Sequence, residues 1–386
     1  MRAWTEINLD AIKNNIKYIR KRTSPQAQVM AIVKADAYGH GVCDVTATLL
    51  ANGADRLGVA TVDEAIQLRN AGFDVPILIL GYIPPEDIGR AIEADITLTV
   101  FHDEYAETVS QKALALGKKC KIHIKLDTGM HRIGYLCTDN EENTVSSICR
   151  IAKLSGIQPE GIFSHFAKAD EADPSYTHLQ FGRFCKITDK LEEMGIHIPI
   201  KHICNSAGIL KYPEYHMDMV RSGIITYGLT PNDEMDISDT ELVPAMSFKS
   251  IVANIKTITE DAPISYGGRF VAKPGSKIAT INVGYADGYS RVLSNKAQVL
   301  INGHKVNIVG NVCMDQMMAD VTEIENINIG DEVILFGSDG NNNITVESVA
   351  SLLGTINYET VCVVGKRVPR VYIQDGKEVN VLNYLA

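Results

Sequence analysis

A lysine at the end of an apolar stretch is the first place where this sequence offers chemistry. The run Ala31-Ile-Val-Lys34-Ala-Asp-Ala-Tyr38-Gly39-His40-Gly41 passes from β-branched residues into a glycine-rich turn, the pattern of a buried strand entering a loop. Alone, such a lysine snorkels to water. A desolvated lysine is also the side chain that forms Schiff bases with carbonyl cofactors. Pyridoxal phosphate (PLP) asks for a lysine, a phosphate cradle and a partner for its pyridine nitrogen. Asn205-Ser206-Ala207-Gly208 combines an amide, a hydroxyl and small residues through which backbone N–H groups can close around a phosphate. Arg221-Ser222-Gly223-Ile224 follows, and Gly223 permits close backbone approach. Lys125-Leu-Asp127-Thr-Gly-Met-His-Arg132-Ile-Gly134 gathers a lysine, an aspartate and a carboxylate-forking arginine around a turn, and Ser164-His165-Phe166 adds an imidazole.

These motifs need elements to carry them. Candidate strands at 29–33, 57–60, 77–80, 96–100, 121–126, 161–164, 201–204 and 219–223 alternate with helical periodicity, clearest at 10–20, 103–116 and 177–194. Eight strand–helix units predict a (β/α)8 barrel, with a doubly wound sheet as the alternative. The barrel is preferred because the polar, reactive residues lie at the C-terminal ends of several strands, where barrel sites are assembled and where phosphates sit after strands seven and eight. An acidic, polar stretch at 232–240 predicts a linker. Beyond it, short strands at 246–258, 277–282, 297–301, 305–309 and 332–335, the hairpin signal Asn302-Gly303 and one helix near 345–353 predict a mostly β domain. The expected division is 1–235 and 236–386, with the opening strand at 4–9 able to join either part.

Composition bounds the rest. The 386 residues are 45% hydrophobic and 22% charged, with net charge −10, a soluble-enzyme profile that argues against nucleic-acid or anionic-membrane partners. Cysteines 43, 120, 137, 149, 185, 204, 313 and 362 show no metal-ligand spacing and predict reduced thiols in a cytoplasmic protein. The polar start predicts no signal peptide, and the apolar runs are too short to span a membrane.

Lys34-Ala-Asp-Ala-Tyr-Gly-His-Gly resembles the PLP-lysine signature of the alanine racemase family. The likeness extends through Trp4, Ile7-Asn-Leu-Asp10, Asp127-Thr-Gly-Met-His-Arg132, Ser164-His165-Phe166, Asn205-Ser206, Arg221-Ser-Gly-Ile224, Ser265-Tyr266-Gly, Val283-Gly-Tyr285-Ala-Asp-Gly, Cys313-Met314-Asp315 and Ile356-Asn357-Tyr358-Glu359. The resemblance implies a PLP enzyme that racemises alanine, with peptidoglycan supply as its role, working as a homodimer with shared sites. Lys34 would carry PLP and serve as base on one face of the substrate Cα. Tyr266 of the partner subunit would be the base on the other. Arg221 would bond the pyridine nitrogen, and His165 would lie between Arg221 and Tyr266. Tyr38, Asn205, Ser206, Gly223, Ile224 and Tyr358 would hold the cofactor. Arg132 would contact the cofactor phenolic oxygen and the substrate carboxylate, braced by Lys125, a position carbamylated in many members. Tyr285, Met314 and Asp315 would close the substrate entrance.

Elementary chemistry is consistent with these roles. Racemisation needs a base on each face, because one base tends to return the proton to the face it left. An arginine on the pyridine nitrogen keeps its own proton and limits the ring as an electron sink, whereas a decarboxylase would prefer an acidic partner. A PLP-dependent decarboxylase would also carry a Gly-Gly-Gly phosphate loop, and none is present. A non-catalytic PLP carrier would have no use for Tyr266. A serine/alanine racemase of broader specificity is the nearer alternative, with the bulk of Tyr358 favouring alanine.

Overall fold

The computed structural model describes residues 1–138, 141–232, 235 and 237–386. The predicted linker therefore lies partly outside the described residues. Eight parallel strands form the ring: Gln28–Ile32, Arg56–Val59, Ile77–Ile79, Thr97–Val100, Cys120–Asp127, Ile157–Phe163 and Ile200–His202 pair in sequence, and the eighth, Met219–Ser222, pairs with the first. The ring closes through two further backbone bonds, Asp218 N–H to the Lys201 carbonyl (3.1 Å) and Arg221 N–H to the Cys204 carbonyl (3.0 Å). Helices cover the outside, as a parallel barrel requires of strands apolar on both faces. The (β/α)8 barrel expected from the strand count is the fold observed. The strand expected at 161–164 begins earlier, at Ile157. Pro159 lacks an N–H, and the register against Ile122 and His123 shifts beside it, so this stretch does not read as a strand in sequence.

The second sheet is built mainly from residues beyond 245. The strand Met246–Thr257 pairs with Glu332–Ser338, Lys277–Ile281 and the opening strand Ala3–Asn8, which pairs in parallel with Arg370–Gln374 on its other side. The opening strand thus lies in the C-terminal sheet, and the helix after it, Leu9–Arg22, packs on the barrel. Asn8 caps that helix by accepting from Ala11 N–H, and Asp10 near its start with Arg20–Arg22 at its end complement its dipole. Asn15, fully buried on this helix, donates to the Thr226 and Val243 carbonyls and accepts from Val243 N–H, holding both ends of the segment that joins barrel to sheet. The Asn302-Gly303 hairpin forms with both residues at positive φ, as the turn type demands. The closing pair Arg370–Gln374 and Lys377–Leu382 was not anticipated from sequence.

Candidate active site

Lys34 sits immediately beyond the strand Gln28–Ile32, at the barrel mouth. The next four residues form one left-handed turn, with φ of 50° at Ala35, 56° at Asp36, 54° at Ala37 and 52° at Tyr38. Each such residue costs about 1–2 kcal/mol relative to a right-handed turn, so surrounding contacts must hold it. Glu64 does so on one side, accepting from Ala35 N–H at 2.7 Å while also bonding Ala60 and Thr61 N–H. Burial depresses the Lys34 amine below its ordinary range, and the Arg132 guanidinium pushes the same way.

A small cradle faces this lysine turn. Ser206 Oγ accepts from Gly223 N–H at 3.0 Å, and a Cβ on Gly223 would lie 3.3 Å from both Ser206 Oγ and Tyr38 Oη. The missing side chain is what leaves room among a backbone, a serine hydroxyl and a tyrosine hydroxyl. Asn205 turns away from the cradle: it caps the short helix Ser206–Lys211 by accepting from Gly208 N–H at 3.0 Å. Ile224 is buried at the start of the helical turn that follows Gly223. The Tyr38 ring packs on Tyr227 at 4.9 Å and tilts against Tyr358 at 6.1 Å. Burial raises the pKa of both Tyr38 and Tyr358, so both phenols stay neutral donors.

Arg221 is buried, and no carboxylate pairs with it among the described residues. Its Nη2 donates to the Ser164 carbonyl (2.8 Å), the Ile203 carbonyl (3.0 Å) and His165 Nδ1 (3.1 Å), and its Nη1 donates to His202 Nδ1 (3.0 Å). Because each imidazole accepts from a permanent donor at Nδ1, each carries its proton on Nε2. His202 Nε2–H then donates to His123 Nδ1 (2.8 Å), and His123 Nε2–H donates to Glu160 (3.1 Å), which Arg56 also bonds at 2.9 Å. A polar column with one consistent hydrogen-bond direction therefore runs through the barrel interior. Burial, reinforced by Arg221, holds His165 and His202 far below the usual imidazole range, so both stay neutral. Burial lowers Arg221 itself to about 10, and it remains cationic at neutral pH.

Sequence reasoning missed Arg56, His123, Glu160 and His202. One signal was present: Lys121, His123, Lys125 and Asp127 alternate with Ile122, Ile124 and Leu126, so one face of an otherwise apolar strand is polar throughout. Lys125 on that face donates to the Leu126 carbonyl at 2.7 Å and lies 5.4 Å from the Phe163 ring, as does the Arg221 guanidinium carbon. Burial, with help from Arg221, lowers its amine to about 7. Asp127 accepts from Gly129 and His131 N–H at 3.0 Å each and so shapes the turn that carries Arg132. Arg132 is exposed and makes no hydrogen bond or ion pair among the described residues. Its positive charge lowers the pKa of Lys34, His165 and Lys125, so its field reaches all three.

Tyr266, Tyr285, Met314 and Asp315 form a separate group on the β domain. Tyr266 projects from the hairpin Ala262–Ile264 and Phe270–Ala272 and is 69% exposed. Asn311 bonds its carbonyl, and it borders an open cleft of 490 Å³ with Lys256, Ser265 and Cys313. Tyr285 and Ala286 N–H donate to the Cys313 and Met314 carbonyls, joining their two loops. Asp315 pairs with Arg367 at 2.6 Å, and Arg367 pairs with buried Asp287 at 3.0 Å. Among the described residues, no hydrogen bond, ion pair or ring contact within one chain links this group to Lys34, Arg132, His165 or Arg221.

Known proteins show the same arrangement of sequence. The profile for the alanine racemase N-terminal domain matches residues 7–231, and that for the C-terminal domain matches 245–372. The chain belongs to the alanine racemase family. It is 52% identical over 370 residues to the alanine racemase of Methanococcus maripaludis, covering 96% of this chain and 98% of that one. It is 47% identical over 382 residues to an alanine racemase of Clostridium perfringens, covering 99% and 98%. Among solved structures, alanine racemase from Clostridium difficile 630 superposes with a TM-score of 0.95 at 41% identity, covering 100% of this chain and 99% of that one. Alanine racemase from Bacillus anthracis with bound L-Ala-P superposes at 0.93 and 38% identity, covering 100% and 98%.

The buried column yields a stability prediction. Burial alone would raise the Glu160 pKa, but hydrogen bonds from His123 and Arg56 hold it at about 2 against an ordinary 4.5. The resulting stabilisation is complete above pH 4.5 and disappears as pH falls toward 2. Glu160→Gln is expected to cost about 2 kcal/mol at pH 7, allowing for solvent screening. In denaturant unfolding, the wild-type and variant curves should converge between pH 4.5 and pH 2. A gap independent of pH would contradict the ion-pair origin.

Proposed function

We propose that this chain is a PLP-dependent alanine racemase that interconverts L- and D-alanine and supplies D-alanine for peptidoglycan. The observation that carries the reading is the pairing at one barrel mouth of a desolvated lysine with a buried arginine that has no carboxylate partner. The residues fit PLP. The gap left by Gly223, with Ser206 Oγ and the neutral Tyr38 hydroxyl beside it, suits a phosphate, with Ile224 N–H and Tyr358 completing it. Asn205 acts indirectly, by fixing the helix that presents Ser206. When bound, the cofactor supplies an aldehyde for an amine and a conjugated ring that spreads the charge left on Cα.

Lys34 Nζ holds or takes the Cα proton on one face, and its lowered pKa makes the free amine easier to form than for an exposed lysine. The opposite face falls to Tyr266, delivered by the partner subunit of a homodimer. Its 69% exposure within one chain supports that assignment. His165 accepts from Arg221 at Nδ1, which leaves Nε2–H free to donate to the Tyr266 oxygen and orient it. Arg221 would hold the ring nitrogen of the cofactor by donating a hydrogen bond while keeping its own proton, which would restrain the ring as an electron sink. A decarboxylase would want an acid at this position. Arg132, unpaired and exposed, forks onto the substrate carboxylate. Tyr285, Met314 and Asp315 line the entrance from the partner. We further propose domains at 1–235 and 236–386, and a cytoplasmic location, which the eight free thiols support.

Mixing inactive variants tests the shared site. Lys34→Ala and Tyr266→Phe should each abolish racemisation, measured as D-alanine formed from L-alanine. Random remixing of their subunits should restore about a quarter of wild-type activity, since half the dimers are mixed and each has one intact site. No recovery after verified exchange would sink the two-subunit site. Fed L-alanine and L-serine side by side, the enzyme should favour alanine by up to about a hundredfold, because Tyr358 acts only by bulk. Equal rates would remove Tyr358 from specificity. A Lys125 amine near 7 is largely unprotonated at slightly alkaline pH, as reaction with carbon dioxide to a carbamate requires. Lys125→Ala should lose activity that added chloride or acetate, as anions, partly restores. An unaffected variant would exclude carbamylation as a catalytic brace.

A further inference from the structure

The left-handed turn after Lys34 is held largely from the far end of the chain. The Tyr384 hydroxyl donates to Asp36 Oδ2 across 348 positions of sequence. Asp36 Oδ1 accepts from Val42 N–H at 2.8 Å, so one carboxylate bridges the turn, the helix after it and the C-terminal tail. Arg370, 2% exposed, donates from Nε to the Gly39 carbonyl at 3.0 Å. Its remaining N–H groups bond the carbonyls of Val364 (2.8 Å), Gly365 (2.8 Å) and Val368 (2.6 Å), and its guanidinium lies 5.2 Å from the Tyr384 ring. Arg370 has no acidic partner among the described residues, and its donors are spent on carbonyls and on stacking. Gly39 approaches the Val361 carbonyl so closely that a Cβ would sit 2.4 Å from it. Four side-chain-bearing residues in a left-handed turn persist only where the surroundings over-determine them.

We propose that Tyr384 and Arg370 are positioning residues for Lys34. With Asp36 they form a clamp that keeps the left-handed turn wound and the lysine amine at the barrel mouth. The clamp closes on the carboxylate of residue 36 and the backbone of residue 39, whereas Glu64 bonds the backbone at Ala35. Neither residue needs to touch cofactor or substrate, and both lie outside the motifs that carry the chemistry. The proposal rests on the reading of Lys34 as the cofactor lysine.

The test uses PLP-loaded full-length enzyme carrying Tyr384→Phe, Asp36→Asn or both. Borohydride reduction followed by peptide mass analysis reads how much PLP is joined to Lys34. Dilution reads PLP retention, and thermal unfolding of the cofactor-free protein reads stability. Tyr384→Phe should weaken PLP retention about tenfold and lower kcat, as expected for one lost hydrogen bond to a charged group, with KM for L-alanine little changed. The double variant should be no worse than the weaker single variant, because both remove the same contact. PLP retention and trapping equal to wild type, with or without a drop in thermal midpoint, would overturn the clamp. If Tyr384→Phe does not fold, Arg370→Lys carries the same expectations, since lysine cannot reproduce the fork of donors. Failure of the wild-type enzyme to trap PLP at Lys34 would instead overturn the cofactor-lysine reading, and the clamp with it.

Discussion

The buried guanidinium of Arg221 is the constraint around which the barrel interior is arranged. Removing such a charge from water costs several kcal/mol unless its donors are all met. Here its two terminal nitrogens find acceptors without a carboxylate, in two backbone carbonyls and two neutral imidazoles. Ser164, Ile203 and His202 come from two strand ends, so their register must be correct for Arg221 to be held at all. The same requirement reaches deeper. His202 can accept from Arg221 only if its other nitrogen donates, and that donation is received by His123 and finally by Glu160. One cation near the mouth thus dictates polar residues along a barrel interior that would otherwise be apolar.

Keeping the histidines beside the Arg221 cation neutral has a chemical consequence. A cation at the mouth depresses every basic group nearby, and Lys125, His165 and His202 all shift downward beside Arg221. Lys34, desolvated and facing the field of Arg132, shifts with them. The field thus pushes each of these groups toward its unprotonated form, which suits removal of a proton from carbon. The β domain contributes a different surface, with exposed aromatic and acidic groups set on short, tightly bonded loops. On the proposed reading, the two surfaces meet only between subunits, so assembly and catalysis become inseparable.

Much of this was legible in the chain because its signals are local. Eight apolar runs separated by helical periods predict the barrel, and Asn302-Gly303 predicts its hairpin. Lys34, Ser206, Arg221 and Gly223 stand out because reactive or small residues close a strand. Other parts carried no local signal. Residues 157–160 contain glutamine, proline and glutamate, so the first half of that strand is hidden. Ala35 to Tyr38 read as part of a loop after a strand, and nothing in alanine, aspartate or tyrosine announces a left-handed turn. The clamp by Tyr384 and Arg370 depends on a contact across most of the chain.

By itself, the sequence determined the element types, the two-part organisation and the inventory of groups able to do chemistry. Those follow from hydrophobic period, turn residues and side-chain type, all properties of neighbours along the chain. Tertiary structure alone decided which of those groups share an environment. It joined Arg221 to Glu160 through two histidines, placed the opening strand in the C-terminal sheet and left Tyr266 facing solvent. Hydrogen-bond direction, desolvation and the cost of a left-handed turn depend on distances in space, and separation along the chain does not encode them.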